Sequence, residues 1–133
     1  MLVGIDIIDA TRMEKLIKNE HFLEKYFTKY EVEYVSHKFN PTLSLAGIYS
    51  AKEAFLKALG IGIGGGINLS DIEVCHEKSG KPYIKVLALS AQDMLKTMNV
   101  EDIQISISHS DNMATAICTL HWYVFFKTPK DFD

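Results

Sequence analysis

An apolar segment over residues 42–59 is the feature that most constrains the fold of this chain. It follows a proline, precedes a glycine, and carries only three charged side chains, which are Lys52, Glu53 and Lys57. This pattern predicts one long helix that ends with a glycine just past its last turn. Because so few of its side chains are charged, we expect the helix to be largely buried.

The polar side chains of this helix follow a single line. Ser50, Glu53 and Lys57 are spaced i, i+3, i+7, so they share one face. An ordinary intrahelical Glu53–Lys57 ion pair, worth about 0.3–0.5 kcal/mol, is one interpretation of that line. A polar site is the other. Small residues along the helix predict that another element packs closely against it; they are Ala46, Gly47, Ala51, Ala54 and Ala58.

The chain before the long helix predicts one strand and two shorter helices. Residues 2–8 form an apolar, strand-like run that a single acid, Asp6, interrupts. Thr11-x-x-Glu14 has the pattern of a capping box and predicts a helix through about Lys18. A second box, Thr28-x-x-Glu31, predicts the start of another helix.

The chain after the long helix alternates with period two. A hairpin is predicted around the turn at residues 79–82, followed by a short helix over 91–98 and a strand at 103–107 that turns into another strand from Met113. The predicted order is β-α-α-α-β-β-α-β-β. This order indicates an α+β fold with helices packed on one face of a largely antiparallel sheet.

Length and composition limit the class of protein. With 133 residues and no internal repeat or linker, we expect one domain over 1–122 and a C-terminal extension of unknown role at 123–133. The 14 Lys and Arg against 17 Asp and Glu disfavour nucleic-acid binding. No apolar run is long enough to span a membrane, and no leader precedes the first strand. Cys75 and Cys118 lack CxxC spacing, which fits a cytoplasmic protein.

Asp6 requires an explanation, because an apolar strand buries a carboxylate only at a cost unless it is paired or metal-bound. It can lie near the strand end and accept backbone N–H groups from the next helix. Alternatively, Asp6 and Glu53 together with Lys57 suit a hard cation such as Mg²⁺ with a bound phosphate.

Two further motifs are ambiguous. Gly60, Gly62 and Gly65 spell GxGxxG, but the motif follows a helix, so a dinucleotide fold is rejected. The run is a connector or a place where backbone passes close to a ligand. The segment 106–111 gathers Ser, His and Asp, but neighbouring strand residues point to opposite faces, which argues against a catalytic triad. His109 binds a phosphate or simply caps the turn.

Taken together, these motifs resemble those of the holo-(acyl carrier protein) synthase family of 4′-phosphopantetheinyl transferases. The resemblance covers about residues 1–120, and its order and spacing match. It lies in the segments Gly4-Ile5-Asp6-Ile7, Ser50-Ala51-Lys52-Glu53-Ala54-Phe55-Leu56-Lys57-Ala58-Leu59-Gly60, Gly62-Ile63, Ser79-Gly80-Lys81-Pro82 and Ile105-Ser106-Ile107-Ser108-His109-Ser110.

The resemblance implies a cytoplasmic enzyme of fatty-acid biosynthesis that uses Mg²⁺. Such an enzyme transfers 4′-phosphopantetheine from coenzyme A to a serine of apo-acyl carrier protein and releases adenosine 3′,5′-bisphosphate. The resemblance also implies a homotrimer with active sites at subunit interfaces. A binding module for coenzyme A or carrier protein without turnover is the alternative. A purely structural trimerisation domain would leave the buried charges unexplained.

The resemblance also assigns roles to single residues. Asp6 and Glu53 would bind Mg²⁺ and, with Lys57, form the catalytic set; the general base is Glu53 or a metal-bound water. Lys57 would contact the coenzyme A phosphates, and coenzyme A would also meet Gly62, His109 and Ser110. The family usually carries an arginine where this chain has Ile48.

The first predicted helix carries a small basic face formed by Arg12, Lys15 and Lys18. Such a face is often merely solvated, but it can also steer an acidic protein toward the chain. The resemblance implies that Arg12 faces the acidic acyl carrier protein.

Overall fold

The computed structural model describes residues 1–62 and 64–122. The helices are α1 (Thr11–Ile17), α2 (Glu20–Tyr26), α3 (Lys29–Ser36), α4 (Pro41–Ala58) and α5 (Leu89–Thr97), with a 3₁₀ turn at Leu69–Asp71. The strands are β1 (Leu2–Asp9), β2 (Ile72–His76), β3 (Pro82–Val86), β4 (Asp102–Ser110) and β5 (Met113–His121). The C-terminal extension predicted at 123–133 lies outside the described residues.

The strands form two antiparallel sheets, a three-stranded one in the order β1-β5-β4 and a two-stranded one of β2 and β3. Helix α4 packs across all three strands of the larger sheet. The opposite face of that sheet is open, since Val3, Ile5 and Ile7 on β1 are 56%, 64% and 64% exposed. The predicted α+β fold with helices on one face is confirmed, with the refinement that the strands divide into two sheets.

Helix α4 begins and ends as predicted. The Asn40 side chain accepts the Leu43 N–H at 3.1 Å, and Pro41 occupies the first turn, where its missing N–H costs nothing. At the other end Gly60 adopts φ +76°. Its N–H reaches the Lys57 carbonyl oxygen at 3.0 Å, which begins the Schellman pattern that terminates the helix.

The small residues of α4 permit close packing, as predicted. Ala46, Ala51 and Ala54 are fully buried. A Cβ atom built on Gly47 would lie 2.6 Å from His109 Nε2, so the imidazole rests directly on the helix backbone. The absence of a side chain at position 47 therefore positions His109.

The start of α1 and the existence of α2 differ from the sequence expectation. Thr11 is the first helical residue rather than the cap, and Asp9 accepts both its N–H and its hydroxyl, at 2.9 and 2.8 Å. Helix α2 was not predicted; the Asn19 side chain caps it by accepting the His21 N–H at 3.1 Å. The capping box at Thr28 is confirmed, with bonds in both directions between Thr28 and Glu31.

A buried ion pair ties four elements to α4: α2, α3, the 3₁₀ turn and β2. Lys52 Nζ donates to Glu31 Oε1, and neither side chain is exposed. Lys52 also donates to the carbonyl oxygen of Tyr26 at 2.9 Å and to that of Leu69 at 2.9 Å, while Glu31 accepts the Val74 N–H at 2.7 Å. Burial raises the pKa of Glu31 and lowers the pKa of Lys52, and their mutual attraction opposes both effects. Lys52 is therefore a core residue despite its place beside Glu53.

The two predicted turns are both present. Gly80 closes the β2–β3 turn with φ +92°, and Asp111 lies between β4 and β5 with φ +52°. His109 lies within β4, opposite Ala114, rather than in the turn itself. Over the described ranges, no helix combines the length and apolar character needed to cross a membrane.

Candidate active site

Asp6 is held in place through its own backbone. The hydroxyls of Ser50 on α4 and Thr115 on β5 both donate to the Asp6 carbonyl oxygen, at 3.0 and 2.8 Å. The Asp6 side chain is 14% exposed and lies where β1 crosses α4. Its carboxylate is therefore fixed at the junction of strand and helix instead of capping α1.

Lys57, two turns after Ser50 on α4, forms an ion pair with Asp6. Its Nζ lies 3.1 Å from Asp6 Oδ1 and 3.1 Å from the Ile5 carbonyl oxygen. Among the described residues, the intrahelical Glu53–Lys57 ion pair is not formed. The Lys57 side chain remains 54% exposed, so its charge is also available to a ligand.

Glu53 is the third member of the predicted set. Its Oε1 is buried and has no hydrogen-bond partner among the described residues. Burial raises the pKa of Glu53, and the nearby Asp6 carboxylate adds to the shift. Burial, followed by the charge of Glu53, raises the pKa of Tyr49 to about 12. The polar line of α4 thus meets β1 at one point, with two carboxylates near each other.

The residues at this junction fit a magnesium ion. Mg²⁺ takes one or two protein carboxylates and fills its remaining positions with water and phosphate oxygens. Asp6 and Glu53 supply the two carboxylates, and the unpartnered Oε1 is an acceptor that a cation would satisfy. The part of the chain that the structure describes holds no group of three or more His, Cys, Asp or Glu residues placed for a metal.

His109 does not belong to this junction within one chain. It lies on β4, whereas Asp6 lies on β1, and β5 runs between the two strands. Two strand spacings amount to about 10 Å. His109 instead contributes to a separate cavity of about 280 Å³, here called the His109 cavity, which Lys38, Ile48 and His76 also line.

The remaining predicted ligand residues, Gly62 and Ser110, are both exposed. Around Gly62 there is open space, with no heavy atom within 4 Å of a Cβ built there. Ser110 ends β4 on the surface. Ile48, at the position where the resembled family usually has arginine, is 1% exposed and brings no charge to the wall of the His109 cavity.

The predicted basic face is present and lies next to the carboxylates. Arg12, Lys15 and Lys18 are all exposed. Arg12 and Lys15 border a groove of about 470 Å³ that continues to Phe22 and Tyr49. The Arg12 charge favours ionisation of Glu53 and so opposes the upward shift of its pKa. Helix α1 therefore borders the candidate metal site.

Sequence reasoning missed Tyr49, Lys38 and His76. Tyr49 precedes Glu53 by four residues, so helical spacing alone indicated that the two side chains are neighbours. Lys38 and His76 line the same cavity only through tertiary structure, and no local pattern indicated that they are neighbours. The arrangement as a whole, with two carboxylates, a lysine and a separate basic cavity, suits an enzyme that handles a phosphorylated ligand.

Comparison with known proteins identifies the family. The profile of the 4′-phosphopantetheinyl transferase superfamily matches residues 2–119. The holo-[acyl-carrier-protein] synthase of Syntrophus aciditrophicus is 38% identical over 119 residues, which cover 88% of this chain and 92% of that protein. That of Caldanaerobacter subterraneus is 40% identical over 118 residues, covering 88% of this chain and 91% of that protein.

A solved structure agrees with these sequence matches. The Helicobacter pylori holo-[acyl-carrier-protein] synthase in complex with coenzyme A aligns with TM-score 0.79 and 30% identity, over 90% of this chain and all of that one (100%). The chain belongs to the 4′-phosphopantetheinyl transferase superfamily. The expectation that it is a transferase of this kind is thereby confirmed.

Proposed function

We propose that this chain transfers 4′-phosphopantetheine from coenzyme A to a serine of apo-acyl carrier protein in a Mg²⁺-dependent reaction. The products would be holo-acyl carrier protein and adenosine 3′,5′-bisphosphate. The observation that carries the proposal is the meeting of Asp6, Glu53 and Lys57 where β1 crosses α4. The names of the relatives and the coenzyme A bound to the Helicobacter pylori protein support the choice of substrates.

Each residue of the junction has a role in this reaction. Mg²⁺, when held by Asp6 and Glu53, would neutralise the pyrophosphate of coenzyme A and the charge that develops on the leaving phosphate. Lys57 would place its ammonium on a phosphate oxygen, exchanging part of its contact with Asp6. Ser50 and Thr115 keep the Asp6 backbone fixed, so that the carboxylate needs no rearrangement when the substrate arrives.

The serine hydroxyl of the carrier protein must lose a proton as it attacks. Of the side chains at the junction, Glu53 is suited to accept it, since its Oε1 has no partner in the described chain and its pKa is raised. A water molecule on the metal remains the other candidate. Glu53→Gln would remove the proposed base and a metal ligand together, so its loss of activity does not separate the two roles. Asp6→Asn removes a metal ligand but keeps Glu53, so its pH profile is the informative comparison.

We further propose a homotrimer with each active site at a subunit interface. The carboxylate junction and the His109 cavity lie at opposite edges of the same sheet in one chain. A ring of three chains would bring the junction of one subunit beside the cavity of the next. The exposed apolar side chains on the open sheet face give such an assembly a surface to bury; they are Val3, Ile5, Ile7 and Ile117.

The basic face completes the proposal. Arg12, Lys15 and Lys18 would receive an acidic acyl carrier protein and place its serine near Glu53, which Arg12 borders. We place the reaction in the cytoplasm, within fatty-acid biosynthesis, and the two free, buried cysteines are compatible with a reducing compartment.

Mass spectrometry of apo-acyl carrier protein after incubation with this protein, coenzyme A and Mg²⁺ tests the proposal. The carrier protein should gain the mass of one phosphopantetheine. Asp6→Asn and Glu53→Gln should each slow transfer by about 100-fold or more, because several kcal/mol of charge stabilisation are lost. Asp93→Asn, an exposed acid on α5, is the matched control and should retain the wild-type rate.

Two results would contradict the proposal. Wild-type rates in Asp6→Asn or Glu53→Gln with Mg²⁺ present would remove the metal assignment. Tight binding of coenzyme A with no mass gain by the carrier protein would favour the binding module without turnover.

A further inference from the structure

Tyr49 lies one helical turn before Glu53 on α4, where it connects the candidate metal site with the groove beside α1. Side chains spaced i, i+4 on a helix are neighbours, with Cβ atoms about 5–6 Å apart. The ring of Tyr49 lines that groove together with Arg12 and Lys15. A phenol therefore stands between the surface proposed for the carrier protein and the carboxylate proposed for the metal.

Two aromatic neighbours hold the Tyr49 ring in place. Tyr26 meets it edge to face, with ring centroids 6.3 Å apart and an interplanar angle of 79°. Phe27 lies against it at 6.4 Å with an angle of 51°, and Phe27 is itself part of the core, at 3% exposed. Both separations are typical of favourable aromatic pairs. Because the ring is packed in this way, its hydroxyl stays beside the Glu53 side chain.

The Tyr49 hydroxyl is a hydrogen-bond donor to the Glu53 carboxylate. This bond adds to burial and to the charge of Glu53 in raising the pKa of Tyr49, and it opposes the effect of burial on the pKa of Glu53. A phenol keeps its proton at neutral pH and can therefore donate to a carboxylate. Glu53 Oε1 is buried and has no partner among the described side chains, so it remains available as an acceptor.

Packing alone does not account for a tyrosine at this position. Phenylalanine has the same ring and would fill the same space against Tyr26 and Phe27. The hydroxyl adds only the contact with Glu53. Carboxylates that bind a metal are commonly hydrogen-bonded by a second side chain, which fixes their orientation.

We propose that Tyr49 positions Glu53 for Mg²⁺, in that its hydroxyl donates to one carboxylate oxygen and leaves Oε1 free for the metal. A carboxylate that is already held binds the cation without first losing rotamer freedom. Tyr49 touches neither the metal nor a phosphate, so it is a positioning residue rather than a catalytic one. This inference rests on the proposed function, because it assumes that Glu53 binds Mg²⁺.

Binding of Mn²⁺, followed by electron paramagnetic resonance, tests the inference without turnover. Mn²⁺ accepts the same oxygen ligands as Mg²⁺, and the samples contain coenzyme A but no carrier protein. Tyr49→Phe removes only the hydroxyl and should weaken Mn²⁺ binding about tenfold. Tyr30→Phe on α3 is the matched control. It removes the same group from a tyrosine that does not line the groove, and it should bind Mn²⁺ as the wild type does.

Kinetics separate positioning from a purely structural role. In Tyr49→Phe, the Mg²⁺ concentration that gives half-maximal transfer should rise about tenfold. The KM for carrier protein at saturating Mg²⁺ should stay unchanged, because the ring still lines the groove. Tyr49→Leu removes the ring as well, and it should raise both values.

Two results with Tyr49→Phe would overturn this inference and leave the proposed function intact. One is wild-type Mn²⁺ binding and a wild-type Mg²⁺ requirement, while Glu53→Gln loses the metal. The other is wild-type Mn²⁺ binding with a raised KM for carrier protein, which would show that the hydroxyl serves the groove instead. Retained Mn²⁺ binding in both Asp6→Asn and Glu53→Gln would refute the metal assignment itself, and this inference with it.

Discussion

Gly4 on β1 lies directly against the backbone of Ala54 on α4. A Cβ atom built on Gly4 would overlap the Ala54 carbonyl oxygen and lie 2.5 Å from the Ala58 nitrogen. No side chain, therefore, fits between strand and helix at this point. Asp6 follows two residues later on the strand, and Glu53 precedes Ala54 on the helix, so the same contact sets the spacing of the two carboxylates.

Gly4→Ala should destabilise the fold by about 2–3 kcal/mol or more, because the new methyl group meets backbone that cannot rotate away. Urea unfolding measures this loss. Gly62→Ala is the matched control, since the same methyl group meets open space there, and its stability should stay within about 1 kcal/mol of the wild type. Equal stability of the two variants would show that β1 and α4 can separate at little cost.

The sequence indicated α4 more clearly than α2. Helix α4 has a proline at its start, a glycine after its end and a long apolar run between them, and all three signals are local. Helix α2 has only 7 residues, and its cap, Asn19, was overlooked because no glutamate follows three residues later. At Thr11 the box pattern was present, but Asp9 competes for the same N–H with a shorter chain path.

The charged residues of α4 and β1 also differ in how far the sequence alone indicated their roles. Asp6, Glu53 and Lys57 stood out because each is a charge in an apolar setting, which a sequence displays directly. Lys52 had the same appearance, yet its partner Glu31 lies 21 residues away and belongs to another helix. Which of these charges meets a ligand and which meets a buried partner depends on tertiary contacts that spacing along one helix does not encode.

The same substitution at two lysines of α4, Lys52 and Lys57, should affect stability and transfer to different extents. Lys52→Met would leave Glu31 buried without its counter-charge, and we expect a loss of about 3–5 kcal/mol in the free energy of unfolding. Lys57→Met removes a partly exposed pair and should cost less than about 1 kcal/mol while impairing transfer. Urea unfolding and the mass-spectrometric transfer assay measure the two effects.

The double variant Glu31→Gln/Lys52→Met is the control for the buried pair. It should be more stable than the sum of the two single changes predicts, because no uncompensated charge remains in the core. Additive losses would mean that the two side chains do not interact in the folded protein.

Ile5→Lys should dissociate the proposed trimer. Ile5 is 64% exposed midway along β1 on the open sheet face, and a charge there would have to be buried at the interface. Light scattering should give three times the chain mass for the wild-type protein and the mass of one chain for the variant. Leu89→Lys replaces another exposed apolar residue, on α5, and should leave the mass unchanged. A wild-type protein that is monomeric at all concentrations would contradict the shared active site.

His76 should titrate below its ordinary pKa of 6.5, because burial and then the charge of Lys38 disfavour the imidazolium. Tyr34 and Lys38 face it from the α3 side, and His109 lines the same cavity. Between pH 6.5 and that lower pKa, the unfolded chain binds a proton that the folded chain does not. The contribution of this histidine to stability should therefore fall as the pH falls through that range.

Nuclear magnetic resonance titration of the His76 ring protons measures this pKa. Lys38→Gln should raise it toward 6.5, and Lys29→Gln should not move it. An identical midpoint in the wild-type protein and Lys38→Gln would show that the lysine does not act on the histidine.

Charge reversal on α1 tests the basic face, and Lys15 is a better position for it than Arg12. Arg12 influences the pKa of Glu53, so its reversal would disturb the candidate metal site as well as the surface. Lys15→Glu should raise the KM for carrier protein about fivefold at low salt, weaken the salt dependence and leave the KM for coenzyme A unchanged. Arg12→Glu should raise the same KM and also lower kcat. Lys96→Glu on α5 makes an equal charge change far along the chain and should behave as the wild type does. An unchanged KM for carrier protein in Lys15→Glu would mean that α1 offers no local attraction to an acidic partner. The chain has a net charge of −3, so nothing on α1 would then offset the overall repulsion of that partner.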